Sequence, residues 1–416
     1  MSQEQTKSEA KTCPFNPYAP GFDVNPYPAL KELRTHAPIS YWDPGKGWIV
    51  TRYEDVITVL RDNNRFSPNP ADWEFASTLG RAAMFPEMEE ISRSSLLVLS
   101  DADHARVRRL VSPAFTPRAV EWLRPQVQAI VDELLDAAAA KGTVNVVSDI
   151  ADPIPARAMG SLLKIPKERE VPFQRFTEAV IKSLSPIMLP PEEVEAVRQD
   201  MREGLALLRE TIEERRRNPK ENDILTTLIQ TEEQGDKLST AELLSLVAAL
   251  IVGGFETTVH LIGFTMSNIL RRPELFAQLK AEPELIKNTI EEVLRHDSFF
   301  KLGLSRYARE DVELGGVKIK KGQRLFLMAN SAMHDEAAFP DPETFDVRRN
   351  TTATVSFGNG MHFCLGVHLA RLEGRLTVGT LLARFPDMKL VKPPAFGPHP
   401  SLRKMETLEV QLLARS

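Results

Sequence analysis

The chain is 416 residues long, 42% hydrophobic and 26% charged, with a formal net charge of −5. That length allows one large domain or two to three ordinary ones, and the charge excludes a general attraction to nucleic acid or to acidic membrane. Two cysteines, Cys13 and Cys364, cannot build a disulfide framework and fit a reducing compartment in which a single thiol has a task.

The N-terminal stretch MSQEQTKSEAKTCPFNPYAP is polar and lacks an apolar signal core, so residues 1–15 read as a loose tail preceding one domain over 16–416. NPYPALKELRTHAP reads as a short helix closed by proline. ISYWD and GWIVTR alternate in the manner of paired strands, turned around PGKG. From 101 to 234 apolar residues recur three or four apart, which predicts an almost wholly helical region broken at SLSPIMLPP, 183–191. A long helix starts at Ser239, where STAE offers a capping box closed by Glu242, and runs to about Leu270. Its apolar run LLSLVAALIVGGF is too short to span a bilayer and ends in an acid, so it predicts a buried helix and no membrane span. PELIKNTIEEVLRH predicts another helix, VELGGVKIKKGQRLFLM short strands, the residues from Cys364 to about Arg384 a last long helix, and LEVQLLA a final strand. The fold class is therefore mainly α with minor β, in one cytoplasmic domain.

Cys364 stands in FGNGMHFCLG, just ahead of a helix. A helix N-terminus presents unpaired N–H groups and the positive end of its dipole, and both favour thiolate over thiol. Glycines at 358, 360 and 366 allow the loop to aim N–H groups at one sulfur, and Phe357 and Phe363 would exclude water. The residues alone leave three readings open: a structural cysteine behind a glycine turn, a metal-bound thiolate, or a nucleophile served by His362 or His368. Zinc is disfavoured because no second cysteine lies at ligand spacing. GGFETT places an acid, Glu256, and a hydroxyl, Thr257, beside two glycines inside an apolar helix, an arrangement that is costly unless the pair is hydrated or partnered. EEVLR sets Glu292 and Arg295 three apart on one helix face.

FGNGMHFCLG resembles, with no mismatch, the pattern Phe-Gly-x-Gly-x-His/Arg-x-Cys-x-Gly of the haem-binding loop of the cytochrome P-450 family, the haem-thiolate monooxygenases. The other motifs follow in that family's order, so the resemblance spans from about 16 to the C-terminus. It implies the cytochrome P-450 fold, a helical haem domain with small β-sheets, and haem b (iron protoporphyrin IX) with Cys364 as the metal ligand and Phe357, Gly358, Gly366 and Ala370 against the cofactor. By the same resemblance Glu256 and Thr257 relay protons during dioxygen activation, which needs two protons at one oxygen. His104 and Arg108 of DADHARVRRLVSPAF, Arg306 of SRYAREDVELGG and His362 hold the haem propionates. Glu292 and Arg295 form a structural ion pair behind the loop, with Arg349 as the expected third partner because Thr344 occupies the place where some relatives carry an arginine.

The chain has no flavin, nicotinamide or iron–sulfur fingerprint, so electrons derived from NAD(P)H must come from outside. A ferredoxin with its reductase is the implied partner, docking on a positive patch of Arg106, Arg109, Arg371 and Arg375. The monomeric enzyme would take a lipophilic molecule, such as a fatty acid, terpenoid, steroid or polyketide, and return it hydroxylated. The pocket implied by the resemblance draws on Trp73, Phe75, Phe85, Leu96 and Leu97, on Leu184, Ile187 and Met188, on Leu246, Ala249, Leu250 and Gly253, and on Phe299, Phe300 and Lys301. Lys301 is solvated by default, or anchors a substrate carboxylate if it points inwards. Two other readings stand beside this one: a peroxygenase fed by hydrogen peroxide, against which the acid–hydroxyl pair argues, and a non-catalytic haem sensor.

Overall fold

The computed structural model describes residues 14–76, 84–99, 101–183, 189–221, 223–233 and 235–413. They pack as two compact units: one comprises 14–76, 291–364 and 396–404, the other the described residues of 77–290, 365–395 and 405–413.

The first unit is built on a five-stranded sheet. Ile39–Trp42 pairs antiparallel with Gly47–Val50, which runs parallel to Arg324–Leu327, followed by Leu304–Ala308 and the short Phe66–Ser67. Its β-branched and aromatic residues supply a core of Val50, Phe66, Leu325, Leu327, Ile319 and Val355, all essentially inaccessible. Helix Tyr53–Arg61 contributes Val56, Val59 and Leu60 to the same core. Phe15, placed in the loose tail by sequence, is 5% exposed and packs edge-on against Phe22 and Trp42. The packed chain therefore begins no later than that ring; residues 1–13 lie outside the described residues.

The second unit is helical, and its centre is the long helix Thr240–Leu270. The expected capping box is complete: Ser239 Oγ accepts from the Glu242 amide, and the Glu242 carboxylate accepts from the Ser239 amide. At 31 residues the helix is long and apolar enough to cross a bilayer. Its side chains are instead spent inside the unit, where Leu243–Ile251 and Thr258–Ile269 are almost continuously buried. One departure from the helical expectation over 101–234 is Thr143–Asn145, a strand that pairs with Glu409–Leu413, which in turn pairs with Asp387–Leu390. The β-branched Thr143 and Val144 follow the end of helix Arg124–Lys141, and tertiary pairing overrides the local helical texture. The last long helix is Val367–Arg384, beginning three residues later than the expected start.

Candidate active site and family

In the first unit the Cys364 loop is a tight fold held at its base. Gly358 and Gly360 have φ of +74° and +69°, and a Cβ on Gly360 would lie 2.7 Å from the Leu60 carbonyl. Only glycine lets the loop rest on the end of helix Tyr53–Arg61, where Arg61 Nε also donates to Asn359 Oδ1 at 3.1 Å. The Cys364 amide donates to the Phe357 carbonyl at 2.9 Å, which closes the loop, and the thiol is partly accessible. Phe357 and His362 are also partly exposed, and Gly358 is buried.

Arg306, on strand Leu304–Ala308, is 5% exposed. Nη1 donates to the Ser305 carbonyl at 2.8 Å, while Nε is buried with no acceptor among the described residues. Burial pulls the guanidinium down to about 10. A buried arginine without a carboxylate is costly, and its donor fork suits an anionic group such as a carboxylate. A partly accessible cysteine in a glycine-shaped loop and an anion-seeking guanidinium in the same unit make a donor set that fits a haem.

Behind the loop, Glu292 and Arg295 are both fully buried and joined by two bonds of 2.8 Å. Arg349 Nε approaches Glu292 Oε1 at 3.4 Å, and the Asp346 amide donates to the same oxygen at 2.9 Å. Arg295 also donates to the carbonyls of Met333, Pro342 and Thr344. The three residues expected to pair are thus brought together, and they staple the segment 333–349 to helix Ile286–His296.

In the second unit, helix Asp101–Val111 carries His104 and Arg108 one turn apart. His104 is fully buried, and burial followed by the Arg108 charge pulls its imidazole down to about 4, so it is neutral at pH 7. Arg106 pairs with Glu242 of the capping box and Arg109 with Asp236. Two of the four arginines expected to form a docking patch are therefore already matched by acids of the chain itself.

The long helix changes character over 252–257. These residues are exposed or half-buried, whereas those on either side are buried. A Cβ on Gly253 would meet nothing within 4 Å. Glu256 and Thr257 lie in this window, and the Thr257 hydroxyl donates to the Gly253 carbonyl at 2.5 Å. Gly366 also borders open space, and the Ala370 amide donates to its carbonyl, one turn into the last helix.

The expected pocket residues divide. Phe85, Leu96, Leu246, Leu250 and Phe299 are buried, Trp73, Ala249 and Phe300 are half-buried, and Phe75, Leu97 and Gly253 are exposed. Leu184, Ile187 and Met188 lie outside the described residues. Lys301 corrects both of its expectations. It is 2% exposed, and its ammonium sits 2.7 Å from Asp23 and donates to the His399 carbonyl at 3.1 Å. It is neither solvated nor available for a substrate carboxylate, because burying the ammonium requires those internal acceptors.

Sequence reasoning missed Glu373. Leu369, Glu373, Thr377 and Leu381 recur every four residues on the last helix, and all four are buried, so an acid occupies the apolar stripe. That breach of periodicity was the available signal. Burial pushes the Glu373 carboxyl up to about 8, with a hydrogen bond from Thr258 opposing the rise.

The cytochrome P450 family model matches residues 48–407. The chain belongs to the cytochrome P450 family. Over 416 residues it is 46% identical to the epothilone C/D epoxidase of Sorangium cellulosum, covering 99% of each chain. It is 33% identical to the cytochrome P450 monooxygenase PikC of Streptomyces venezuelae, covering 99% of this chain and 96% of that one. The structure of epothilone B-bound cytochrome P450epoK superposes with a TM-score of 0.89 at 46% identity, over 96% of this chain and 99% of that one. This cytochrome P450 is accordingly a haem-dependent monooxygenase, an oxidoreductase that hydroxylates a lipophilic small molecule with dioxygen and electrons from a redox partner. Its fold is the cytochrome P450 fold.

Proposed function

We propose that this cytochrome P450 oxidises a polyketide macrolactone, adding one oxygen atom at an alkene or an adjacent C–H. The reading is carried by the 46% identity, over 99% of both chains, with an enzyme named for epoxidation of epothilones C and D. The apolar side chains Phe85, Leu96, Leu246, Leu250 and Phe299 suit a large lipophilic ligand.

The cofactor is haem b, which supplies the activation of dioxygen when bound. Cys364 is the residue that would hold its iron, and the N–H groups and glycines around it would keep the sulfur ionised. His104, Arg108, Arg306 and His362 would bind its propionates: Arg306 already carries a buried donor seeking an acceptor, and neutral His104 can donate one N–H. Phe357, Gly358, Gly366 and Ala370 would lie against the porphyrin. Glu256 and Thr257 would pass protons in the open turn of the long helix, where Gly253 leaves room. Glu292, Arg295 and Arg349 hold the scaffold of the Cys364 loop. Trp73, Phe75, Leu97, Ala249, Gly253 and Phe300 would complete the pocket together with Leu184, Ile187 and Met188. Electrons would come from NAD(P)H through a ferredoxin and its reductase, to a cytoplasmic monomer.

The first test is the absorption spectrum of the reduced, carbon-monoxide-bound holoprotein. A far-red Soret band that is lost in Cys364→Ala assigns the thiolate; the same spectrum in both proteins would refute it. Epothilone D should then shift the spin state and be converted to a product one oxygen heavier. Absence of both, with shifts produced by fatty acids or steroids instead, would overturn the macrolactone reading.

A further inference from the structure

Glu256 and Thr257 are followed by a second threonine, and the two hydroxyls serve different faces of the long helix. Thr257 lies in the open window 252–257, while Thr258 is 2% exposed and hydrogen-bonds the Glu373 side chain. Consecutive helical residues diverge by about 100°, so one turn of helix carries both environments. The last helix can approach closely there because residue 374 is glycine: a Cβ would come within 3.3 Å of Leu261 Cδ2 and 3.4 Å of Ile290 Cδ1. Glu373 is 2% exposed, and the Thr377 hydroxyl is committed to the Glu373 backbone carbonyl at 2.8 Å, not to its carboxyl.

The groups around Glu373 leave it without a cation. From the long helix it meets Thr258, while His260, two residues on, stands edge-on to Phe264. On helix Pro117–Glu121 the Glu121 carboxylate is taken by Arg124, and on Arg124–Lys141 Asp132 accepts from Gln128 and faces Arg384. On helix Pro273–Ala281 Lys280 donates to the Pro386 carbonyl. Along its own helix Arg371 and Arg375 act on His368, and Arg375 also acts on Glu121. Among the described residues, burial and Thr258 are the two influences on the Glu373 carboxyl. An acid kept in an apolar stripe with one hydroxyl for company is less favourable than a leucine unless that hydrogen bond has a use.

We propose that Glu373 is a positioning residue for the proton relay: bonded to Thr258, the neutral acid fixes the turn of the long helix that presents Glu256 and Thr257, and it releases that turn when it loses its proton. The proposal rests on the reading of Glu256 and Thr257 as the relay. It predicts a coupling defect at alkaline pH. The ionised fraction of a group titrating near pH 8 rises about ninefold between pH 7 and pH 9. An anion in that stripe draws water and charge towards itself, and the turn follows.

The experiment measures product and hydrogen peroxide per electron pair consumed, from pH 6.5 to 9.5, on haem-loaded enzyme. The macrolactone of the turnover assay is the probe, with a bacterial ferredoxin and reductase as electron source. Product formed by the wild type at pH 7, with an intact thiolate spectrum, establishes the underlying reading independently. The share of electrons lost to peroxide should then rise several-fold towards pH 9 in the wild type, with a midpoint near 8, and stay flat in Glu373→Gln, whose amide cannot ionise. Thr258→Val should lose electrons at pH 7 as the wild type does at pH 9, and Thr258→Ser should restore coupling. Should Glu373→Gln fail to fold, the two Thr258 variants decide. A wild type that is flat to pH 9, the same alkaline rise in Glu373→Gln, or full coupling in Thr258→Val would each overturn the proposal.

Discussion

Glu292 and Glu373 are both carboxylates with at most 2% of their surface exposed, and they have opposite surroundings. Glu292, in the first unit, receives two bonds from Arg295, one from the Asp346 amide and the approach of Arg349. Glu373, in the second, has Thr258, and burial pushes it up to about 8. The contrast shows that burial alone does not decide whether an acid is a strut or a titrating group; the number of donors within reach decides it.

The largest effect should come from removing one partner of the satisfied acid. In Glu292→Ala the Arg295 guanidinium remains buried with three backbone carbonyls and no counter-charge. The expected loss is about 3–5 kcal/mol, read as a lower urea midpoint of the holoprotein together with loss of haem, since the same arginine pins the segment 333–349. Arg295→Lys should fare little better, because an ammonium cannot reproduce the two-pronged geometry. A change below about 1 kcal/mol in both variants would mean that the pair contributes no more than an exposed one.

Glu373 should behave in the reverse sense, and pH is the lever. Its folded carboxyl lies near 8, above the ordinary 4.5, so the native state holds a proton that the unfolded chain has already released. Stability is fully present below about 4.5 and is lost as pH rises through 8. Glu373→Gln lacks this dependence. Between pH 6 and pH 9 the wild type should therefore lose about 2–3 kcal/mol relative to the glutamine variant, measured by denaturant unfolding of the two proteins at each pH. Parallel curves would show that the acid is ionised throughout.

How far each acid could be read in the sequence follows from the same difference. Glu292 announced itself through a fixed spacing to Arg295, and the ten residues around Cys364 form a pattern that spacing alone makes specific. The capping box at Ser239 is equally local, and both of its bonds are present. Glu373 depends on Thr258, more than a hundred residues away in the chain, and on Gly374 allowing close approach; no window of sequence contains that contact. Lys301 was misread for a similar reason. Its partner Asp23 is remote in sequence, so the bland expectation for a lysine prevailed over an ion pair that only the fold creates. Strand Thr143–Asn145 likewise exists because Glu409–Leu413 lies beside it.

A third carboxylate sharpens the comparison at the small end. Glu242 is less buried than the other two, its side chain 12% exposed, and it has two roles at once: it closes the capping box on the Ser239 amide and pairs with Arg106, itself 30% exposed. Burial works against its ionisation, but the Ser239 and Arg106 donors outweigh it and hold the carboxyl below its ordinary value. Its ion pair is partly screened by water, so Arg106→Ala should cost about 0.5–1 kcal/mol. Glutamine at position 242 would keep the reach back to the Ser239 amide and lose only the charge, so Glu242→Gln should cost about as much as Arg106→Ala. Glu242→Ala removes the cap as well and should cost about 1 kcal/mol more. Denaturant midpoints of the three variants order these contributions. If Glu242→Gln matched Glu242→Ala instead, the charge pair and not the cap would be what fixes the start of the long helix, and partial exposure would matter less than the count of donors.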